Sequence, residues 1–209
     1  MAFVVTKLEN DLKKVFSDMK DAGENVTIDM FTNGVAQACA DFVQTGSVTT
    51  VDAGAIPAGA FTGSGTGQIT VQSSLLKSAL DIACNAMSSM TEGGDDVLAN
   101  ALGSGMFAMS SAAVVDTNIV GTVVSPSGVP SPLSGTGKGT IVCIQAPLVS
   151  SIQACFSLMK QNAGNEQFDG DSHFASELSK AVLTYWTSGT ITVNGLAPLG
   201  GSIGSGTVA

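Results

Sequence analysis

The sequence predicts an α+β protein made of three internal repeats, each a helix–turn–helix followed by a β-hairpin, packed together. A Gly-x-Gly-x-β-branched motif occurs three times, at Gly65–Ile69, Gly137–Ile141 and Gly204–Val208. The motifs start 72 and 67 residues apart, so the spacing is nearly constant. Each motif follows two stretches with helical apolar spacing and one Thr/Val-rich stretch typical of a strand.

The first helix of each repeat is predicted from apolar residues at i, i+4, i+7, i+8 and i+11, the stripe of an amphipathic helix. These residues are Leu8, Leu12, Val15, Phe16 and Met19, then Leu76, Leu80, Ala83, Cys84 and Met87, then Leu148, Ile152, Cys155, Phe156 and Met159. In the first repeat, Gly23 is expected to end this helix.

The second helix of each repeat shows the same kind of spacing. Its apolar positions are Phe31, Val35, Ala38, Cys39 and Phe42, then Leu98, Leu102, Gly105, Met106 and Met109, then Phe174, Leu178, Ala181, Val182 and Tyr185. Gly46 is expected to end the first of these helices. A strand over 47–51, a Gly/Pro/Ala loop over 52–60 and the strand at Gly65 then complete the first repeat.

The predicted repeats span residues 1–74, 75–146 and 147–209. A lone hairpin is barely stable in water, and a unit of this size buries little apolar area, so the three repeats are expected to fold as one cooperative unit. A pseudo-threefold arrangement and a linear stack both agree with the sequence.

Charge is scarce and uneven. The net charge is −9, and all eight basic residues are lysine. Phosphate recognition relies on basic patches and favours arginine, so neither nucleic acid nor an anionic membrane is an expected partner. The spans 46–74, 111–146 and 187–209 contain only three charged residues, Asp52, Asp116 and Lys138. A surface so poor in charge is typical of one covered by neighbouring proteins.

The first residues lack the basic start and apolar run of a signal peptide, and no apolar run is long enough to span a membrane. Synthesis in the cytosol is therefore expected. The four cysteines, Cys39, Cys84, Cys143 and Cys155, have no CxxC spacing, and reduced thiols acting as small apolar groups are the favoured interpretation, with a disulfide as the alternative.

Ser134–Thr140 superficially resembles a phosphate-binding loop. Such a loop requires Gly five residues before the Gly-Lys pair, Ser or Thr after the Lys, and then a helix. Here Pro132 takes the first position, Gly139 follows Lys138, and a strand comes next. A glycine-rich strand entry is therefore the favoured interpretation.

His173 is the only histidine, and Cys155 is the nominal nucleophile for a Cys-His pair. Cys155 lies on the apolar stripe of its helix, which indicates a core position. One histidine with scattered cysteines also lacks the ligand cluster of a zinc site. We therefore predict no enzyme activity, no catalytic residue, no metal and no cofactor.

Acidic residues collect at the turns between paired helices. They are Asp21 and Glu24, then Glu92, Asp95 and Asp96, then Glu166, Asp169 and Asp171. Paired carboxylates can act as acid and base or bind Ca²⁺, but none of these stretches fits an EF-hand loop. Helix capping is the favoured interpretation, because acidic residues stabilise helix N-termini.

The glycine-rich strands are predicted to pair with strands of other subunits, because they lack the charges that usually protect a sheet edge. The candidate interface residues are Gly65, Gly67, Ile69, Val71, Gly137, Gly139, Ile141, Gly204, Gly206 and Val208. The stretch 204–209 is the one most expected to pair outside its own repeat.

The loops and strands around Phe61–Thr70 and Leu133–Ile141 resemble glycine-rich repeats in virion structural proteins of tailed bacteriophages. The resemblance covers the β part of each repeat. It implies a non-enzymatic virion component of the tail, baseplate, neck or head, with other virion proteins and copies of itself as partners. From this resemblance we expect a tail, baseplate or neck protein. The alternatives are a capsid decoration protein, and a small-ligand binder or enzyme that uses the glycine-rich loops.

Overall fold

The structure, a computed structural model, describes residues 3–56, 58–197 and 200–208. The helices are α1 (Val5–Ala22), α2 (Ile28–Thr45), α3 (Ser73–Met87), α4 (Gly94–Ser111), α5 (Gln145–Gln161) and α6 (Gly170–Thr187), with a short 3₁₀ turn at Gly23–Asn25. The strands are β1 (Val48–Ile56), β2 (Gly59–Thr70), β3 (Val114–Val124), β4 (Pro130–Val142), β5 (Thr190–Ala197) and β6 (Gly200–Val208). The predicted mixture of helices and antiparallel strands is confirmed.

The helix ends follow the local chemistry of the sequence. Gly23, with φ of 53°, follows α1, and Gly46 follows α2, as predicted. Glycine adopts positive φ without the steric cost that a Cβ would add. The hydroxyl of Thr27 caps α2 by accepting the amide of Met30 at 3.3 Å. Asp169 caps α6 by accepting the amide of Ser172 at 3.1 Å.

The six strands form a closed antiparallel barrel in the order β1-β2-β3-β4-β5-β6. The last strand closes the barrel on the first, since Val48 pairs with Val208 and Asp52 with Gly204. The first helix likewise packs against the last. The two ends of the described chain therefore meet, and a linear stack of units is excluded.

The strands are longer than the sequence predicted. Residues 52–56 continue β1, and β2 begins at Gly59, so the predicted loop over 52–60 is wrong. Glycine and alanine disfavour strands, but hydrogen bonds to the neighbouring strands outweigh that preference here.

The helices cover one end of the barrel, because each strand pair starts after one helix pair and ends before the next. The main core joins the helices to the near end of the barrel, where Val48, Val115 and Ile191 are fully buried. A second, smaller core of Phe61, Ile119 and Val123 lies near the distal end. The barrel thus has a helix-covered end and a free end.

Neighbouring helix pairs are joined by ion pairs between lysine and aspartate. Lys77 of α3 lies 2.8 Å from Asp29 of α2, and Lys160 of α5 lies 2.6 Å from Asp95 of α4. Lys20 of α1 lies 2.5 Å from Asp171 of α6. Exposed pairs of this kind contribute little to stability, at most about 1 kcal/mol each.

Asp81 on α3 connects the first two helix pairs. Its carboxylate accepts hydrogen bonds from Lys77 Nζ at 2.8 Å and from the buried hydroxyl of Thr32 on α2 at 2.5 Å. The bond from Lys77, and then that from Thr32, lowers the pKa of Asp81 below 3.8. A lowered carboxylate pKa stabilises the fold above the unfolded-state value, and this stabilisation is lost as the pH falls through the folded-state pKa.

We therefore expect Asp81→Asn to cost about 1 kcal/mol at neutral pH, because the asparagine keeps an acceptor but loses the charge. The difference in the free energy of unfolding between Asp81→Asn and the unmodified protein should disappear below pH 4, as Asp81 becomes protonated. Urea unfolding at a series of pH values measures this. Asp29→Asn, which alters the other partner of Lys77, is the control and should cost less, because Asp29 is 72% exposed. A difference that stays constant down to the lowest pH would contradict the assignment.

Candidate functional site: the barrel and its outer wall

Glycine lines much of the barrel interior because six strands enclose little space. Barrel diameter grows with strand number, and roughly eight strands are needed before side chains just fill the interior. Thr50 pairs with Gly65 on one side and Gly206 on the other. Likewise, Thr117 lies between Gly137 and Gly67, and Val193 between Gly204 and Gly139. Each of these three inward side chains is thus flanked by two glycines.

The layer next to the helices follows the same register. Val48, Val115 and Ile191 each pair with a glycine across the hairpin turn and with an apolar residue of the adjacent hairpin. The glycine partners are Gly67, Gly139 and Gly206. The apolar partners are Val208, Ile69 and Ile141. The three hairpins therefore meet in one common register.

Asp52 is a buried carboxylate inside the barrel and is only 1% exposed. Its Oδ2 accepts the hydroxyl of Thr50 at 2.8 Å. Its Oδ1 has no hydrogen-bond partner among the described residues. A Cβ on Gly204 would overlap Oδ1, so the carboxylate depends on a glycine in the strand beside it. A buried polar atom without a hydrogen bond costs free energy.

The outward side chains of the barrel form a nearly uncharged surface. One row crosses all six strands through residues that pair in succession: Thr192, Ser205, Val51, Ser64, Val120 and Ser134. The adjacent row contains Thr207, Thr49, Thr66, Asn118 and Thr136, all exposed. Hydroxyl groups alternate with exposed valines, of which Val51 is 71% and Val120 65% exposed.

The two outward charges of the barrel lie together on β3 and β4, where Asp116 and Lys138 approach to 3.9 Å. The other four strands, β5, β6, β1 and β2, are adjacent in the barrel, and their one charged residue, Asp52, points inward. We call the outward face of these four strands the four-strand wall. It offers hydroxyl, amide and apolar groups with no charge to desolvate.

All ten residues predicted to form subunit interfaces are buried or half-buried. Nine lie on the inward face of their strands, and Val71 follows the end of β2 in the main core. These residues were expected to contact other subunits because their strands would have unpaired edges, and that expectation of unpaired edges is wrong. Each strand pairs on both sides within the chain, so barrel closure already satisfies these backbone groups. The stretch at Gly204 does pair outside its own hairpin, but with β1 of the same chain.

Sequence reasoning missed the outward residues of these strands, such as Thr66 and Ser205, which lie between glycines, and Val51, which lies between Thr50 and Asp52. Side chains alternate between the two faces of a strand, so the sequence places these residues on the face opposite the glycines. Which of the two faces points outward follows only from the closure of the barrel.

The stretch Ser134–Thr140, which superficially resembles a phosphate-binding loop, lies on β4. Its Lys138 is exposed on the outer face beside Asp116. Gly137 and Gly139 face inward, and a Cβ on Gly137 would lie 2.5 Å from a methyl of Val193 and 2.7 Å from the hydroxyl of Thr117. These glycines therefore serve barrel packing.

Cys155 and His173 lie on different helices, α5 and α6. The sulfur of Cys155 lies 4.0 Å from the sulfur of Met159, and burial raises the pKa of the Cys155 thiol to about 11. Since thiolate is the nucleophilic form of cysteine, this environment disfavours that chemistry. The ring of His173 packs against Phe168, with centroids 5.3 Å apart, and its Nε2 has no partner in the described part of the chain.

The other cysteines are also free thiols. Burial raises the pKa of Cys39 to about 12 and that of Cys143 to about 11, while Cys84 is half-buried. Within residues 3–56, 58–197 and 200–208, no three His, Cys, Asp or Glu side chains are grouped closely enough to hold a metal ion.

Among the acidic residues of the helix turns, Asp169 acts as a cap and Asp95 and Asp171 act as ion-pair partners. Asp169 caps α6, and its hydrogen bonds from Ser172 lower the Asp169 pKa. Asp95 lies in the first turn of α4, and its hydrogen bond from Lys160 lowers the Asp95 pKa. A groove of about 630 Å³ beside this turn is lined by Glu92, Asp95, Asp96 and Lys160, among other residues.

Comparison of the chain with protein-family models, curated proteins and solved structures finds no match. In the part of the chain that the structure describes, no helix combines the length and apolar character needed to cross a bilayer.

Proposed function

We propose that this protein is a non-enzymatic structural subunit of a large assembly, and that the four-strand wall is the surface that contacts neighbouring subunits. The neighbours are copies of this chain and other proteins of the same particle. The resemblance of the glycine-rich strands to tailed-bacteriophage virion proteins favours a tail, baseplate or neck component.

The observation that carries this proposal is the composition of the wall. In the central row, Val51 of β1 has Ser64 on one side and Ser205 on the other. Burying such a surface gains apolar contact without desolvating any ion, and cores of protein interfaces are depleted in charge for this reason. The helices and the turns between them, in contrast, carry −8 of the net charge of −9 and would repel those of a second copy.

Three internal repeats arranged around a common axis are part of the proposal. The common register of the three hairpins and the Lys–Asp pairs between successive helix pairs support this arrangement. Proteins that repeat one unit around an axis suit assemblies whose own symmetry offers several similar contact sites.

The mode of contact differs from the strand addition expected from the sequence. In the closed barrel, neighbours would contact the wall through side chains rather than through backbone hydrogen bonds. Exposed Val51 and the surrounding hydroxyls supply both the apolar contacts and the hydrogen bonds of such an interface.

Val51→Asp tests the wall directly. Sedimentation of the unmodified chain should show species larger than the 20.9 kDa monomer, with their fraction rising with concentration. Val51→Asp should abolish these species, because the interface would have to desolvate a carboxylate. Circular dichroism checks that the variant is folded.

Val142→Asp is the matched control. Val142 lies on β4, outside the wall, and is 66% exposed against 71% for Val51. We expect the control to associate like the unmodified chain. If the unmodified chain remains a monomer at every concentration, self-association through the wall is ruled out. If both variants lose association equally, the wall is not the interface. Gold labelling of purified particles would separate a tail, baseplate or neck position from capsid decoration.

A further inference from the structure

The barrel has three seams where one hairpin meets the next, and the β6–β1 seam is the shortest among the described pairs. Its ladder runs from the pair Val48 and Val208 to the pair Ala53 and Ile203. The β2–β3 ladder is longer and runs from Ala60 and Val124 to Thr70 and Val114. In the described residues the β6–β1 ladder has six residue pairs and the β4–β5 ladder seven, so both seams are much shorter than the β2–β3 seam with its eleven pairs.

The β6–β1 seam is also the poorest in apolar side chains. The described inward residues of β6 are Gly204, Gly206 and Val208, so one valine provides its apolar packing. The β4–β5 seam, in contrast, joins Ile141 with Ile191 and places Val193 beside them. Burial of branched side chains stabilises a strand, and glycine supplies none of it.

Asp52 weakens the same seam. Its unpartnered Oδ1 lies against Gly204, the residue that pairs with Asp52 across the seam. Opening the seam would let water reach this carboxylate. The equivalent inward positions of the other hairpins are Ile119 and Gly195, which carry no charge. Local opening occurs most readily where few buried apolar contacts oppose it.

We propose that the barrel opens at the β6–β1 seam and that the freed edge of β1 accepts β6 from a second copy of this chain. This inference rests on the proposed function, because it supplies a strand-exchanged contact between copies in the assembly. Each exchanged seam would reproduce the intramolecular pairing, so the closed and exchanged forms contain the same contacts.

We assign the strand that binds the freed edge of β1 to a second copy of this chain, because that edge accepts only a strand with glycines at two specific positions. A Cβ on Gly204 would overlap Asp52 Oδ1, and a Cβ on Gly206 would lie 2.7 Å from the Thr50 methyl and even closer to the Thr49 carbonyl oxygen. An incoming strand must therefore carry Gly-x-Gly opposite Thr50 and Asp52. The chain's own β6 meets this requirement, whereas an ordinary strand with side chains at both positions would clash.

Mixtures of variants that each carry one introduced cysteine test the exchange. Thr49 pairs with Thr207 across the seam and with Thr66 within the β1–β2 hairpin. Thr49→Cys is mixed with Thr207→Cys in one sample and with Thr66→Cys in the other, all carrying Cys84→Ser to remove the half-buried thiol. Opposed cysteines on paired strands lie within disulfide range. After incubation at high concentration and mild oxidation, mass spectrometry measures the cross-linked heterodimer.

We expect about tenfold more heterodimer from the Thr49→Cys and Thr207→Cys mixture, since that seam opens and the hairpin does not. Equal yields from the two mixtures would overturn the exchange, as would no heterodimer from either. Sedimentation of the unmodified chain on the same preparation separates the two proposals. If the chain associates but the cross-link is not selective, the interface through the four-strand wall is supported and the strand exchange is contradicted. If the chain never associates, both proposals are contradicted.

Discussion

Gly67→Ala is expected to destabilise the protein by about 3 kcal/mol or more. A Cβ on Gly67 would overlap the backbone carbonyl oxygen of Asp116 on β3. A flexible side chain could move aside, but a carbonyl within a ladder can move only if the strand moves. The inward position of Gly67 thus has no room for even one methyl group. Urea unfolding monitored by Trp186 fluorescence measures the loss.

The matched control for this prediction is Gly170→Ala. Gly170 is the first residue of α6, and a Cβ there would lie 3.5 Å from the terminal methyl of Met159, an ordinary contact. The same substitution should leave stability unchanged or raise it by up to about 1 kcal/mol, because alanine restricts the unfolded chain. If Gly67→Ala also fell within about 0.5 kcal/mol of the unmodified protein, the close approach of β2 and β3 would be contradicted.

Phe61→Ala is expected to cost about 3–5 kcal/mol, the usual loss for removing a buried phenyl ring. The Phe61 ring is 2% exposed and fills the distal barrel beside Gly63 and Gly121. A Cβ on Gly63 would lie 2.7 Å from its Cζ, and one on Gly121 would lie 2.6 Å from it. The glycines make space that this ring occupies, and the ladder around it would not collapse to fill the cavity.

Phe107→Ala is the control for the Phe61 prediction. Phe107 lies on α4 and is 44% exposed, so the same substitution removes far less buried area there. We expect it to cost less than about 1 kcal/mol. Equal losses for the two variants in urea unfolding would show that Phe61 does not fill the distal barrel.

The helices could be predicted because their signal is local. The residues at Leu8, Leu76 and Leu148 begin apolar stripes with helical period, and all three are buried. A period of 3.6 residues is visible within one helix and does not depend on the rest of the fold. The caps at Gly23 and Gly46 are equally local.

The closure of the barrel could not be predicted from the sequence. Pairing of Val48 with Val208 joins strands far apart in the chain, and such pairing leaves no periodic signal. The strand residues 52–56 were also missed, because their Ala and Gly content is typical of a loop and only the ladder keeps them extended. Because the closure of the barrel leaves no local signal, the sequence predicts free edges for the Gly-rich strands.

The scarcity of charge around residues 46–74 can be read directly from the sequence. The residues predicted from it to form an interface, however, face inward. The pattern Gly65-Thr66-Gly67 places both glycines on one face of the strand and Thr66 on the other. Which of those faces is the interior depends on the curvature of the sheet, and the sequence does not contain it. The buried position of Asp52 follows from the same curvature.

The pairing of β1 with β6 is the central claim, since the inward glycines, the four-strand wall and the exchange all depend on it. Nuclear Overhauser effects in an isotope-labelled, dilute sample test it most directly. We predict cross-peaks between backbone protons of Val48 and Val208 and between those of Asp52 and Gly204. If these are absent while the cross-peaks between Thr49 and Thr66 within the β1–β2 hairpin are present, the barrel is not closed and the account is contradicted.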